Sequence, residues 1–250
     1  MRIPKQNILF NLDDTLVECN KYFNEIINQF VEQMSEWFPT IEPVQFENVQ
    51  LDIDLKAIDV HGLTSERFPE SFVQAYEHFC RLTGREEKDS EKKLLRDLGF
   101  SVFEVPVEPL PYMRETLQIL KDGGHELYLH TGGDEKNQKR KIAQLELTTY
   151  FEHRIFISNH KDSTVLKNIM KTMDFKPHNT WMVGNSLRTD ILPSLEMGLH
   201  TIFIPAKSEW KYNEVEINIE PKGAYLILNE LKEVPEAIFS YLQNNEVIRS

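Results

Sequence analysis

Two cysteines in 250 residues, Cys19 and Cys80, are too few for a disulfide framework, and their spacing suits no metal site. No apolar run is long enough to span a bilayer. The first ten residues, MRIPKQNILF, lack the apolar run of a signal peptide, so a cytoplasmic location is the expectation. No basic run offsets the net charge of −12, which opposes binding to a nucleic-acid backbone or to an anionic membrane. Internal repeats and low-complexity tracts are missing. So are G-x-G-x-x-G and Walker sequences, and nucleotide binding of those kinds is therefore unsupported. The rest is ordinary for a globular protein: 40% hydrophobic and 27% charged, at a length that suits one large domain or a core with a smaller insertion.

Short apolar segments at 7–10, 126–130, 154–158, 180–184 and 201–205 read as strands, each bounded by turn residues. Between them Met113, Leu117 and Leu120 mark one helical face, and Val165, Ile169 and Met173 another. Strands alternating with helices at this spacing predict an α/β fold, a Rossmann-like parallel sheet core with helices on both faces. The apolar 7–10 segment is expected near its centre. A last strand and helix are expected within AYLILNEL and VPEAIFSYLQN, after Trp210. Residues 18–105 do not follow this alternation. Phe23, Ile27, Phe30, Met34 and Trp37 recur at helical spacing, as do Phe68, Phe72, Tyr76 and Phe79, and SEKKLLRDLG (90–99) makes a shorter helix. The expected organisation is an α/β core from 1–17 and 106–250, with an inserted all-helical unit at 18–105. The aromatic residues of the insertion read as helix packing.

In an open parallel sheet, ligands bind beyond the carboxyl ends of the strands. The polar residues that follow each strand are Asn11, Asp13 and Thr15; Thr131 with Gly132 and Gly133; Lys161; and Asn185, Ser186 and Asp190. Hydroxyls, a lysine and the backbone N–H groups of glycine-containing turns can hold phosphate oxygens. Carboxylates and amide oxygens can hold Mg²⁺, a hard cation that prefers oxygen ligands. Any one of these residues alone would be a turn, a helix cap or a solvated lysine. Their order at successive strand ends is what marks a phosphate site, with Asp14 left as structural.

These motifs make the chain resemble the haloacid dehalogenase (HAD) superfamily, in its phosphatase branch with a helical cap inserted after the first motif. That branch opens with a hydrophobic strand and Asp-x-Asp-x-Thr, where this sequence has NLDDT. A strand ending in Thr matches LYLHTGG, a Lys before a helix matches NHKDST, and Gly-Asp-x-x-x-x-Asp matches GNSLRTD. The resemblance covers the chain in order, with 18–105 as the cap. It implies that position 11 supplies the nucleophile that becomes an aspartyl-phosphate, and that Asp13 is the general acid and base. It implies that Thr131, Gly132 and Lys161 hold the phosphoryl oxygens. Mg²⁺ would be held by the side chain at 11, the main-chain carbonyl of Asp13, Asn185 and Asp190.

Two positions that the family fills with aspartate are asparagine. Asn185 is the milder change, since an amide oxygen can still face a cation. Asn11 removes the nucleophile, because a carboxamide has no negative charge to deliver to phosphorus. Little or no phosphatase turnover is expected. Three alternatives follow: a phosphatase of small phosphate monoesters carrying an Asp→Asn change at 11, of the kind introduced to trap substrate; a natural pseudo-enzyme that binds a phosphorylated metabolite or a protein partner; and a haloacid dehalogenase. Asp13 argues against the last, since halide departure needs no acid. Specificity is expected from the cap, with His61 and Arg67 in HGLTSERFP (61–69) as candidates. A cap of this size over a small opening favours a small phosphorylated metabolite, such as a nucleoside monophosphate or a sugar phosphate, over a phosphoprotein.

Overall fold

The structure is a computed structural model that describes residues 4–249, with side-chain environments to residue 244. Its core is a parallel sheet of six strands: β1 (Asn7–Phe10), β2 (Glu126–Gly132), β3 (Ile155–Ser158), β4 (Thr180–Gly184), β5 (His200–Phe203) and β6 (Tyr225–Ile227). Their order is β3-β2-β1-β4-β5-β6. The short 7–10 segment lies at the centre because it has no polar face: Ile8 and Phe10 enter one apolar cluster and Leu9 the other.

Helices α5 (Met113–Asp122), α6 (Glu135–Gln144), α7 (Thr148–Phe151) and α9 (Val234–Arg249) contribute to the first cluster. Met113, Leu117 and Leu120 are the face of α5 buried there. Helix α8 (Ser163–Thr172) sends Leu166 and Ile169 into the second cluster. The order reverses between β1 and β4, and this switch point opens a crevice at the carboxyl edge of the sheet.

Between β1 and α5 lie four helices: α1 (Asn20–Trp37), α2 (Pro43–His61), α3 (Arg67–Thr83) and α4 (Asp89–Ser101). They enclose an apolar cluster of their own, in which Phe72 stacks on Phe30 with ring centroids 4.3 Å apart. The aromatic residues read from the sequence as helix packing do that here, and two of them, Phe23 and Phe68, also reach the cavity. Helix α2 has no clear apolar stripe in the sequence. Its buried positions, Phe46, Gln50, Asp54 and Ile58, recur every four residues, but two of them are polar. Val44 and Val60 of the same helix face solvent.

Two extended crossings join the helical unit to the core, with Glu18 N–H donating to Glu108 O and Leu110 N–H to Leu16 O, each at 2.9 Å. Asp14 takes the left-handed conformation, which short polar side chains tolerate. Its carboxylate accepts the Cys19 and Asn20 N–H groups at 3.0 Å and so caps the start of α1. The structural role expected of Asp14 is this one. Burial pushes its pKa up to about 7, against those amides.

Candidate active site at the carboxyl edge of the sheet

Register brings the motifs together. Phe10 pairs with Leu129 of β2 and with Val183 of β4, so the residues that follow each strand emerge at one level. Asn11 N–H extends the β1–β4 ladder by donating to Val183 O at 2.9 Å. Asn11, Asp13, Gly132, Lys161 and Asn185 line one cavity of about 480 Å³ between sheet edge and cap, and Thr131 and Asp190 lie just behind its wall.

Asn11 is the hub of the hydrogen-bond network. Its Oδ1 accepts from Lys161 Nζ at 2.8 Å. Its Nδ2 donates to Asp13 O and to Asn185 Oδ1, both at 2.8 Å. Thr15 Oγ1 donates to the same Asn185 Oδ1 at 3.1 Å. Lys161 also pairs with the Asp190 carboxylate, and both side chains are almost completely removed from solvent. Burial lowers the pKa of the Lys161 ammonium, with Asp190 opposing that shift. The other Asp190 oxygen accepts Ser186 N–H at 3.0 Å. This geometry needs a glycine at 184, because a Cβ there would lie 2.2 Å from Asp190 Oδ2. The chain between Leu187 and Ile191 winds as a π-helical turn, a form often found at functional sites, and so delivers Asp190 back to the strand end.

Asp13 is held by two side chains from α6. Lys141 Nζ lies 2.6 Å from Oδ1, and Gln138 Nε2 lies 2.9 Å from Oδ2. Gln138 Nε2 also donates to Thr131 Oγ1 and to Gly132 O, both at 2.7 Å. Burial, the largest single influence on Lys141, would lower its pKa, but the charge and hydrogen bond of Asp13 together with Cys19 and Asp14 outweigh it and hold the ammonium above its ordinary value. Sequence reasoning missed Gln138 and Lys141. Their signal was an i, i+3 pair on the helix that follows the second motif, hidden in the polar run EKNQKRK. On the neighbouring face of β2, His130 is buried with neither ring nitrogen bonded among the described residues, and burial drives its pKa well below the usual histidine range.

The helical unit between β1 and α5 supplies the opposite wall. The loop between α2 and α3 is tied to the core by Leu63 N–H to Asn159 O at 2.8 Å and by Asn137 Nδ2 to Ser65 Oγ at 2.9 Å. Arg67, first residue of α3, lines the cavity, and its Nε is buried without a hydrogen-bond partner among the described residues. His61 is exposed at the end of α2 and is not part of the lining. Asp54, a residue without a signal in the sequence, lines the cavity from α2 and makes no hydrogen bond or ion pair among the described residues. Burial pushes its pKa up to about 7. Gln50, one turn earlier, donates to Ser71 Oγ at 2.9 Å. Phe23, Ile27, Leu51, Ile58 and Phe68 complete an apolar lining.

The oxygens that the resemblance assigns to Mg²⁺ are already met by donors. Asn11 Nδ2 sits between Asp13 O and Asn185 Oδ1, while Lys161 and Ser186 N–H take the two oxygens of Asp190. Among the described residues no group of three or more His, Cys, Asp or Glu side chains is arranged to hold a metal ion. This donor set does not fit a divalent cation. No helix among the described residues is long and apolar enough to cross a membrane.

Comparison with known proteins agrees with the fold. The glyceraldehyde 3-phosphate phosphatase of Pyrococcus furiosus is 28% identical over 239 residues, covering 92% of each chain. A haloacid dehalogenase-like hydrolase from Xanthomonas campestris superposes with a TM-score of 0.79 at 21% identity, over 100% of this chain and 99% of the other. A magnesium-bound HAD hydrolase from Bacillus subtilis has a TM-score of 0.61 at 17% identity, over 94% and 98%. Both structural likenesses are evidence of fold alone. The family model of haloacid dehalogenase-like hydrolases matches residues 6–198, and with three quarters of its length inside that match the chain belongs to the haloacid dehalogenase-like hydrolase family.

Proposed function

We infer that this chain binds small phosphate monoesters in a phosphatase-type site and hydrolyses them slowly or not at all. The observation that carries this reading is Asn11 itself. Its carboxamide oxygen faces Lys161 at 2.8 Å at the floor of the cavity, where a nucleophilic oxygen would stand, and it carries no charge. Lys161 and Lys141 supply positive charge for the phosphoryl oxygens, with Gly132 and the Thr131 hydroxyl beside them. Asp13 is the acid and base of the family's mechanism, and Lys141 and Gln138 fix its orientation.

The cap side of the cavity receives the rest of the ligand. The unbonded Arg67 Nε is a donor and the Asp54 carboxyl is an acceptor or, when protonated, also a donor. A small polar group with hydroxyls suits both, set among apolar walls. Glyceraldehyde 3-phosphate, the compound in the names of the archaeal relatives, is the first ligand to test, followed by sugar phosphates and nucleoside monophosphates.

The test is to assay the chain, Asn11→Asp, and Asn11→Asp with Asn185→Asp on this panel in Mg²⁺. Loss of a nucleophile costs on the order of 10⁶ in kcat in a well-studied protease, so a gain of about 10³ or more in a restored variant supports the reading. No gain in either variant, together with no saturable binding of any ester to the unaltered chain, refutes it. Binding without turnover in every form would leave a binding protein and no latent enzyme.

A further inference from the structure

We propose, taking the site as one for phosphate monoesters, that this chain has replaced its family's divalent cation with a hydrogen-bonded carboxamide and binds the phosphoryl group without a metal ion. Phosphatases of the family generally use Mg²⁺. Here the amide NH₂ of Asn11 lies 2.8 Å from Asp13 O and 2.8 Å from Asn185 Oδ1, two of the oxygens on which the cation would rest. It performs the cation's structural task, which is to hold those oxygens together, through two ordinary N–H···O bonds.

The orientation of that amide is fixed by its neighbours. Turning Asn11 over would set its oxygen against Asp13 O and Asn185 Oδ1, and its NH₂ against the Lys161 ammonium. Acceptor would face acceptor and donor would face donor, so only one arrangement satisfies all partners. Asn185 Oδ1 is committed in turn, since it also accepts from Thr15 Oγ1. The two asparagines fit each other. A cation entering between them would have to break the bond that joins them.

Charge leads to the same result. The network holds two carboxylates, Asp13 and Asp190, and two ammonium groups, Lys141 and Lys161, and so has no net charge. With aspartates at 11 and 185 it would carry two more negative charges, the amount that one Mg²⁺ offsets. Neutralising both positions therefore supplies, in charge, what the cation supplied. At the strand ends a phosphate dianion meets Lys141, Lys161 and the Gln138 amide, with Asp13 and Asp190 each paired to one of those lysines; the further acids of the lining, such as Asp54 and Glu209, stand toward the mouth and the helical wall.

The experiment is calorimetric titration of the full chain with inorganic phosphate, in EDTA and in Mg²⁺, and with Mg²⁺ alone. Phosphate should bind with the same affinity in both buffers to within about twofold, and Mg²⁺ alone should give no saturable binding. Asn11→Asp with Asn185→Asp should bind Mg²⁺, and its phosphate affinity should rise about tenfold or more when Mg²⁺ is added. Saturable Mg²⁺ binding by the unaltered chain, or phosphate binding only in Mg²⁺, overturns the metal-free site and leaves the phosphomonoester reading standing. Phosphate binding in neither buffer overturns both. The measurements on the unaltered chain decide the outcome even if the double variant fails to fold.

Discussion

Asp54 gives a quantitative test of how the cap wall is built. It is 6% exposed, faces the cavity from α2 and has no hydrogen-bond partner among the described residues, so burial raises its pKa from 3.8 to about 7. A carboxyl whose folded pKa is raised binds its proton more tightly in the native state than in the unfolded one. Its protonated form is tolerated below pH 3.8, and stability is lost as pH rises from there through 7. With those two pKa values the loss is well under about 1 kcal/mol at pH 4, about 3 kcal/mol at pH 6 and about 4 kcal/mol at pH 8. An asparagine at this position would be nearly isosteric with the neutral acid and would not titrate. Urea unfolding of the unaltered chain and of Asp54→Asn should therefore give equal stabilities to within about 1 kcal/mol at pH 4, and a variant more stable by about 2–4 kcal/mol at pH 8. A difference that does not grow between these pH values would refute the assignment of Asp54 as a buried, unpartnered acid. The penalty also has a functional reading. A residue that destabilises the empty protein at neutral pH suits a ligand that brings the missing partner.

Three further predictions concern the scaffold of the site. Lys161→Met leaves Asp190 buried opposite an apolar side chain and should cost about 3–5 kcal/mol in urea unfolding, most of it regained when Asp190→Asn is added. Gly184→Ala places a Cβ within 2.2 Å of Asp190 Oδ2, so thermal melts should show a loss of about 3 kcal/mol, with phosphate affinity falling in the same variant. Phe72→Ala removes a fully buried ring that contacts Phe30 and Phe68, at a cost of about 3–5 kcal/mol. Hydrogen exchange should report that loss in α1 and α3 before it appears in the sheet.

Much of the fold was legible because burial on both faces leaves a strong trace. The 7–10 and 180–184 segments have almost no polar positions, as central parallel strands require, and both lie next to each other in the sheet. Helices α1 and α3 were legible for the opposite reason, one apolar face each. Helix α2 was not, since Gln50 and Asp54 occupy its inward stripe and apolar residues such as Val60 face outward. The same two polar residues that hid the helix now line or support the cavity. His61 and Arg67 looked equivalent as loop residues, but the first ends α2 on the surface and the second starts α3 facing the ligand space.

By itself the sequence determined the alternation of strands and helices in the core, three of the four helices between β1 and α5, and the set of polar residues at the strand ends with asparagine at 11 and 185. Those follow from local periodicity and from side-chain type, which no tertiary contact can alter. Only the tertiary structure decided what those asparagines do. Whether Asn11 offers its oxygen or its NH₂ to Asp13 O depends on Lys161, 150 residues away, and on Asn185, 174 residues away. The clamp on Asp13 likewise comes from Gln138 and Lys141, over 120 residues distant in the chain. Hydrogen-bond direction is set by partners in space, and a chain met as a string of residues does not contain them.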